Sequence, residues 1–323
     1  MELFKADKSY NFMSKSKSLM VLSIILVLTS YILVFTKGLN FGIDFSGGSL
    51  IQVKYTNEAP IEKMREALKK DTIFDGSTIT EFGSASEVVI RVKTSTKDVS
   101  SDLGDVVRET LQGTGEYEIR RVDIVGPKVG SELREKGLMA MTLAIIGILI
   151  YISFRFEWRF AVASVFALIH DVSIAIGFLV LFEVDINLDI LAALLTILGY
   201  SLNDTIIVFD RIREGITSSK DTELSSIIDS SVSRTLSRTT LTSLTTFFVV
   251  LTLFLLGGEI IHGFAFTLMV GVVVGTYSSI FIASPILIWF NFSVMQYREK
   301  LALKLKAEQE KERMRAQFEH GVV

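Results

Sequence analysis

Six long apolar segments constrain the fold of this chain more than any other feature. They occupy residues 19–35, 138–154, 160–182, 188–209, 239–256 and 263–290. A helix of about 20 apolar residues crosses the hydrocarbon core of a bilayer. It also satisfies its backbone hydrogen bonds without water. The sequence therefore predicts a polytopic α-helical membrane protein with six transmembrane helices.

A polar stretch, residues 36–137, separates the first apolar segment from the second. Apolar residues alternate in four short runs and follow a helical spacing in two others. These runs predict strands near 49–55, 78–82, 88–93 and 117–125, and helices from Pro60 and over 98–111. The order β-α-β-β-α-β is that of the ferredoxin-like split unit. We expect an α+β ferredoxin-like domain between spans one and two.

Basic residues distinguish the two sides of the predicted membrane domain. Arg155 and Arg159 lie between spans two and three, and five more basic residues lie between spans four and five. The loops on the opposite side, 183–187 and 256–263, contain none. Basic loops remain in the cytoplasm, and no signal-peptide cleavage motif follows span one. This pattern predicts a multi-pass membrane protein with a cytoplasmic segment 1–18, a domain 36–137 on the opposite side of the membrane and a cytoplasmic tail 291–323.

The composition excludes several kinds of site. The chain has no cysteine and three scattered histidines, which excludes disulfides, thiolate metal sites and cysteine nucleophiles. No sequence resembles a nucleotide-binding loop, and the net charge of −3 gives no sign of nucleic-acid binding. We expect no metal and no cofactor, and a surface that contacts membrane lipid.

Span four carries an acidic residue, Asp204, inside an apolar segment. An ionised group there costs about 3 kcal/mol or more. Two interpretations follow. Asp204 is either a proton-carrying residue or a structural acid that neighbouring hydroxyls and an arginine, such as Arg211 two turns on, satisfy.

Further polar residues extend this feature across the membrane. His170 and Asp171 lie near the middle of span three, and Arg238 lies at the cytoplasmic end of span five, from where its side chain could extend toward Asp204. Carboxylates and imidazole exchange protons, whereas arginine supplies a fixed charge. A proton relay and a structural hydrogen bond are both open for His170 and Asp171. Arg238 is alternatively an anchor in the cytoplasmic headgroup region.

Glycines mark two other positions. Gly271, Gly275, Ser279 and Ala283 recur every four residues in span six, a stripe that permits close approach of another helix. We expect Asp171, Asp204 and this stripe to find their neighbours in a second, partner half. The stretch 42–48, GIDFSGG, permits a sharp backbone path into the first strand.

Five motifs in order resemble the SecF family, whose members are subunits of the bacterial Sec translocase. They are FGIDFSGGSL, VGPKVG, ALIHD, LTILGYSLNDTIIVFDRIRE and RTLSRTTLTSLTT, and the resemblance covers residues 10–295. It implies a six-helix half of a transporter of the RND superfamily, paired with SecD, that uses the proton motive force in late steps of protein export. It also implies contact with the SecYEG translocon and preproteins, with YajC and YidC as further candidate partners. It implies a place in the bacterial cytoplasmic (inner) membrane, with the domain 36–137 in the periplasm.

The resemblance also implies roles for particular residues. It places proton coupling at Asp204 and Arg238, with Asn203, Asp171 and His170 beside them. It places the family motif at the periplasmic entry on Gly42, Ile43, Asp44, Phe45, Gly47 and Gly48.

Three alternatives remain beside this function. An intramembrane aspartyl protease would use Asp171 and Asp204, but the chain reads YSLND where such proteases have G-x-G-D. We therefore expect no enzyme. A passive scaffold would use the same polar residues only to hold helices together. A small-molecule exporter usually carries twelve spans in one chain.

Overall fold

A computed structural model describes residues 10–92 and 103–319. Its helices are α1 (Met13–Lys37), α2 (Ile43–Ser46), α3 (Ile61–Leu68), α4 (Leu103–Thr110), α5 (Pro127–Arg155), α6 (Trp158–Leu181), α7 (Leu188–Ser218), α8 (Leu224–Leu256), α9 (Glu259–Ser278), α10 (Ser284–Trp289) and α11 (Val294–Glu319). A π-helical turn, Ser279–Ala283, joins α9 to α10.

Six of these helical segments are long and apolar enough to cross a membrane, as predicted. They are α1, α5, α6, α7, α8 and the continuous run of α9, the π turn and α10. Several helices exceed the predicted spans: α5 begins at Pro127 rather than near 138, and α8 at Leu224 rather than near 239. Hydropathy detects only the part of a helix that contacts hydrocarbon, whereas backbone hydrogen bonding continues into water.

Three spans form the centre of the membrane domain: α6, α7 and the continuous run from α9 to α10. In α6, 61% of the apolar window is buried inside the protein, against 17% in α1, 11% in α5 and 17% in α8. The helix α7 packs against α6, α8 and α9. The outer helices α1, α5 and α8 therefore present their apolar side chains outward.

The polar stretch forms the predicted α+β domain. Its strands are β1 (Gly48–Tyr55), β2 (Thr78–Phe82), β3 (Ser84–Val92) and β4 (Tyr117–Val125). They form one antiparallel sheet in the order β2-β3-β1-β4, the ferredoxin-like arrangement. The predicted end of the third strand at Lys93 and the start of the second helix near Asp98 lie outside the described residues.

The core of this domain follows from the alternation in its central strands. Ile51 and Val53 of β1 are fully buried and pair in register with Ile90 and Val88 of β3. Side chains of α3 and α4 complete the same cluster, including Met64, Leu68 and Val107. Burial of one sheet face beneath two helices gives the domain its own hydrophobic core.

Candidate functional site

Asp171 of α6 is fully buried and fully hydrogen-bonded. Its Oδ2 accepts hydrogen bonds from Ser201 Oγ of α7 at 2.5 Å and from Ser278 Oγ of α9 at 2.8 Å. Its Oδ1 lies 2.8 Å from His170 Nδ1, within hydrogen-bond distance. We call these four residues the Asp171 cluster. It joins three helices through one carboxylate.

Asp204 of α7 lies in a different environment. Its carboxylate is 1% exposed, and its Oδ2 accepts a hydrogen bond of 3.3 Å from Ser243 Oγ of α8. Thr276 of α9 donates to the same Ser243 Oγ at 2.7 Å. We call Asp204, Ser243 and Thr276 the Asp204 cluster. This acid is much less strongly held than Asp171.

The two clusters are built on the same pair of helices. Ser201 and Asp204 are one turn apart on α7, and Thr276 and Ser278 are two residues apart on α9. The π turn begins directly after Ser278. Such turns occur frequently at functional sites. A movement of α7 against α9 would therefore change the hydrogen bonds of both acids together.

The glycines of span six allow this close packing. A Cβ atom on Gly271 would lie 2.2 Å from Ile197 Cγ1, and one on Gly275 would lie 3.0 Å from Ser201 Cβ. The glycines therefore pack against α7 of the same chain. The expectation that both acids and this stripe find their neighbours in a partner half was wrong for these contacts. The π turn also shifts the helix after Ser278 and interrupts the four-residue repeat.

Within the described residues, neither the Arg238 nor the Asn203 side chain is bonded to the Asp171 or Asp204 carboxylate. Both are exposed, and within the described part of the chain no ion pair joins Arg238 to Asp204. Arg238 precedes Ser243 by five residues, which places it about 140° around α8. Arg211 is likewise not the partner of Asp204, because it pairs with Glu214 at 2.7 Å. Among the described residues, the Asp204 carboxylate accepts a hydrogen bond from a hydroxyl and not from an arginine.

The predicted GIDFSGG segment forms α2 and a tight connection to β1. Gly47 and Gly48 have φ values of 73° and 133°, in the region that favours glycine. A Cβ atom on Gly47 would lie 2.7 Å from Pro127 Cα, and one on Gly48 would lie 2.5 Å from Val92 O. The segment is therefore wedged between the start of α5 and the sheet, and Phe45 is buried beneath it.

The same segment contacts the start of α7. The Leu188 amide donates to Asp44 Oδ2 at 3.0 Å. Asp44 lies beside a cavity of about 190 Å³ together with Arg121, Asp123 and Asp189. The hydrogen bond and charge of Asp123 raise the pKa of Arg121 above its usual value, and Asp44 and Asp189 add to this effect. The cavity is thus a charged junction between the α+β domain and the membrane helices.

Sequence reasoning missed three hydroxyl residues of the site: Ser243, Thr276 and Ser278. The available signal was the concentration of hydroxyls in apolar helices, notably LTSLTT at 241–246 and GTYSS at 275–279. The spacing of these residues within their own helices does not reveal which acid they face. His170 Nε2, Tyr200 Oη and Thr239 Oγ1 are buried and have no hydrogen-bond partner among the described residues.

Six spans, an inserted α+β domain and a wedged double-glycine motif are features of a class of membrane proteins of protein export. Residues 106–293 match the family described as protein export membrane protein SecD/SecF, C-terminal, and residues 32–59 match the SecD/SecF GG motif. The chain belongs to the SecF family of protein translocase subunits. Protein translocase subunit SecF of Helicobacter pylori strain J99 is 49% identical over 323 residues, all of both chains. The SecF of Vibrio alginolyticus is 47% identical, with 88% of this chain and 91% of that protein covered.

Solved SecDF structures share this fold. SecDF of Thermus thermophilus matches 90% of this chain with a TM-score of 0.81 and 33% identity. A SecDF structure in a super-membrane-facing form matches 93% with a TM-score of 0.65 and 32% identity. This chain spans 40% of the length of each of those SecDF chains. At similar identity and coverage, the second structure superposes less closely on this chain than the first.

Proposed function

We propose that this protein, paired with SecD, uses the proton motive force to promote late steps of protein export, with Asp204 as the coupling residue. The observation that carries the proposal is the environment of Asp204: 1% exposed and held by a 3.3 Å hydrogen bond from Ser243. An ionised carboxylate so weakly compensated in the membrane costs several kcal/mol. Asp204 is therefore neutral in this arrangement and ionises when water reaches it.

Asp171 has a supporting role in this proposal. Three hydrogen bonds of 2.5–2.8 Å satisfy its carboxylate and hold α6, α7 and α9 together. A charge change at Asp204 then acts on three helices that Asp171 holds together. A proton that crosses 100 mV releases about 2.3 kcal/mol, which shifts a two-state equilibrium by roughly fiftyfold.

The proposed SecD contact uses an exposed face of α7. Ala192, Thr196, Gly199 and Asn203 recur at intervals of four, three and four residues, and all are exposed. Small and polar residues allow close helix packing within a membrane and are a poor surface for lipid. The SecDF chains, of which this chain spans 40%, support SecD as the occupant. We therefore assign Asn203 a role in assembly with SecD. Arg238, which is exposed on α8, remains in the proposal as a positive charge at the cytoplasmic end of span five.

The proposed topology follows the basic residues. Both termini lie in the cytoplasm, the membrane is the inner membrane, and the ferredoxin-like domain 36–137 is periplasmic. The remaining proposed units are a cytoplasmic segment 1–18, span one at 19–35, spans two to six within 138–290 and a cytoplasmic tail 291–323. Membership of the SecF family supports SecYEG and an emerging preprotein as further proposed partners, with YajC and YidC as further proposed members of the assembly. The relatives are named as translocase subunits, and we propose no catalytic role.

The test is preprotein translocation into inverted membrane vesicles that carry a proton gradient, with and without an uncoupler. Asp204→Asn preserves shape but cannot ionise, so it should co-purify with SecD and lose the uncoupler-sensitive part of translocation. The matched control is Asp210→Asn on the same helix, whose side chain is 49% exposed and pairs with Arg155 and Arg213. Wild-type uncoupler sensitivity in Asp204→Asn would show that the proton role is wrong and favour a scaffold.

A further inference from the structure

The loop between α6 and α7 is joined to the segment that leaves α1. The Gly42 amide donates to the Ile186 carbonyl at 2.8 Å, and the Ile186 amide donates to the Asn40 carbonyl at 2.7 Å. Phe41 and Ile186 thus form a parallel bridge between two chain segments that are far apart in sequence. These backbone bonds hold the loop against the base of the α+β domain.

Two side chains extend this contact to the first turn of α7. Asp44 Oδ2 accepts from the Leu188 amide at 3.0 Å, and Asn187 Oδ1 accepts from the Ile190 amide at 3.0 Å. Free amides at a helix N-terminus attract a negative charge. Asp44 therefore caps a helix that begins 144 residues later in the chain.

The α+β domain holds the same loop from its own side. Arg91 of β3 forms an ion pair with Asp185 at 3.1 Å, and both side chains are about one-third exposed. On the other side, α2 lies so close to α5 that a Cβ atom on Gly130 would be 2.8 Å from Gly47 N. We call the contacts of Gly42, Asp44 and Arg91 with residues 185–188 the α7 clamp.

From the clamp, α7 continues as one α-helix of 31 residues. Asp204 lies sixteen residues after Leu188, about 24 Å along the axis. A continuous hydrogen-bonded helix transmits displacement along its length without a hinge. The clamp is therefore connected by one rigid element to the proposed proton site.

We infer that Asp44 is a positioning residue: it ties the N-terminus of α7 to the α+β domain, and the α7 clamp stays closed while α7 moves. Displacement at Asp204 then reaches the domain directly through α7, and not only through the covalent connections from α1 and into α5. This inference rests on the proposed function and names the element that carries the movement.

The first experiment changes the cap and uses the vesicle assay. Asp44→Ala removes the acceptor, and uncoupler-sensitive translocation should fall by about fivefold, the equilibrium effect of losing a typical cap. Asp44→Asn retains an acceptor and should restore most of that activity. The control is Asp75→Ala, which removes an exposed acid elsewhere in the α+β domain and leaves the Asp44 bond intact. Co-purification with SecD should be normal for all three variants.

The second experiment locks the clamp. A Cβ atom on Gly42 would lie 3.3 Å from Asn187 Cβ, close to the 3.5–4.5 Å of a disulfide, and the chain has no cysteine of its own. Gly42→Cys with Asn187→Cys should therefore oxidise readily. If the clamp stays closed, the oxidised and reduced forms should translocate equally, and each single variant controls for the loss of its own side chain.

Two results would overturn the inference. One is full uncoupler-sensitive translocation in Asp44→Ala. The other is loss of activity on oxidation of the double cysteine variant with recovery on reduction, which would show that the clamp must open. Asp204→Asn reports on the proton role separately. Failure of the clamp therefore leaves Asp204→Asn inactive, whereas failure of the proposed function leaves it active.

Discussion

Ser243 Oγ donates to Asp204 Oδ2 across the contact between α8 and α7, at a distance of 3.3 Å. Ser243 also accepts from Thr276 of α9, so one hydroxyl connects three spans at the proposed proton site. Asp171 of α6 bonds to Ser201, which lies one turn before Asp204 on α7. Asp171 has three shorter contacts, to Ser201, Ser278 and His170. Two acids in one membrane domain therefore have different environments, and this difference leads to separate predictions for each.

Removal of the Ser243 hydroxyl should impair coupling. A hydrogen bond to a neutral group contributes about 0.5–1.5 kcal/mol, so Ser243→Ala should lower uncoupler-sensitive translocation by about two- to tenfold. Ser243→Thr keeps a hydroxyl at the same position and should retain activity. Thr242→Ala is the control, because Thr242 is exposed and its hydroxyl donates to the Arg238 carbonyl of its own helix. Equal activity of the alanine and threonine variants at Ser243 would contradict the prediction.

Replacement of Asp171 should destabilise the fold more than replacement of Asp204. Asp171→Ala removes the buried partner of Ser201 and His170, at about 1–3 kcal/mol for each unsatisfied group, whereas Ser278 keeps the Gly275 carbonyl as an acceptor. Asp204→Ala removes the 3.3 Å hydrogen bond from Ser243, and the Ser243 oxygen keeps its hydrogen bond from Thr276. Thermal unfolding of the purified proteins in detergent should therefore show a clearly lower midpoint for Asp171→Ala. A similar midpoint for both variants would show that the Asp171 cluster does not hold the helices together.

A side chain at Gly271 should disturb the membrane domain itself. The Cβ of Gly271→Ala would lie 2.2 Å from Ile197 Cγ1, and overpacking of this kind typically costs about 1–3 kcal/mol. The cost should shrink when Ile197→Ala makes room, so a double-mutant cycle on thermal stability should show coupling. Gly199→Ala is the control, because no atom lies within 4 Å of its added Cβ. Additive effects of the two changes would exclude the contact.

The orientation can be tested by labelling of single cysteines in intact cells. Gln112 in the α+β domain and Ala307 in α11 are both exposed, and the chain has no native cysteine. A membrane-impermeant maleimide should react with Gln112→Cys before lysis and with Ala307→Cys only after lysis. The reverse result would show that the topology predicted from the basic loops is inverted.

Sequence patterns were sufficient for the elements and for the two acids. Apolar length predicted six spans, and alternation with helical spacing predicted the β-α-β-β-α-β order of the inserted domain. Asp171 and Asp204 were identifiable because carboxylates are costly in hydrocarbon. Gly47 and Gly48 were identifiable as a special turn because glycine tolerates positive φ. Each of these inferences depends on local chemistry and on the period of a single helix or strand.

The partners of those residues were decided by tertiary structure. Asp204 accepts a hydrogen bond from Ser243, which is 39 residues away in the chain. Asp44 accepts one from the Leu188 amide at the start of α7, 144 residues away. The sequence predicted that the Arg238 side chain could extend toward Asp204, but Arg238 lies about 140° around α8 from Ser243. Gly271 packs against Ile197 of the same chain. Helical periodicity states which residues share a face but not which helix that face meets. That choice depends on side-chain fit between helices, so the acids could be located from the sequence but their environments could not.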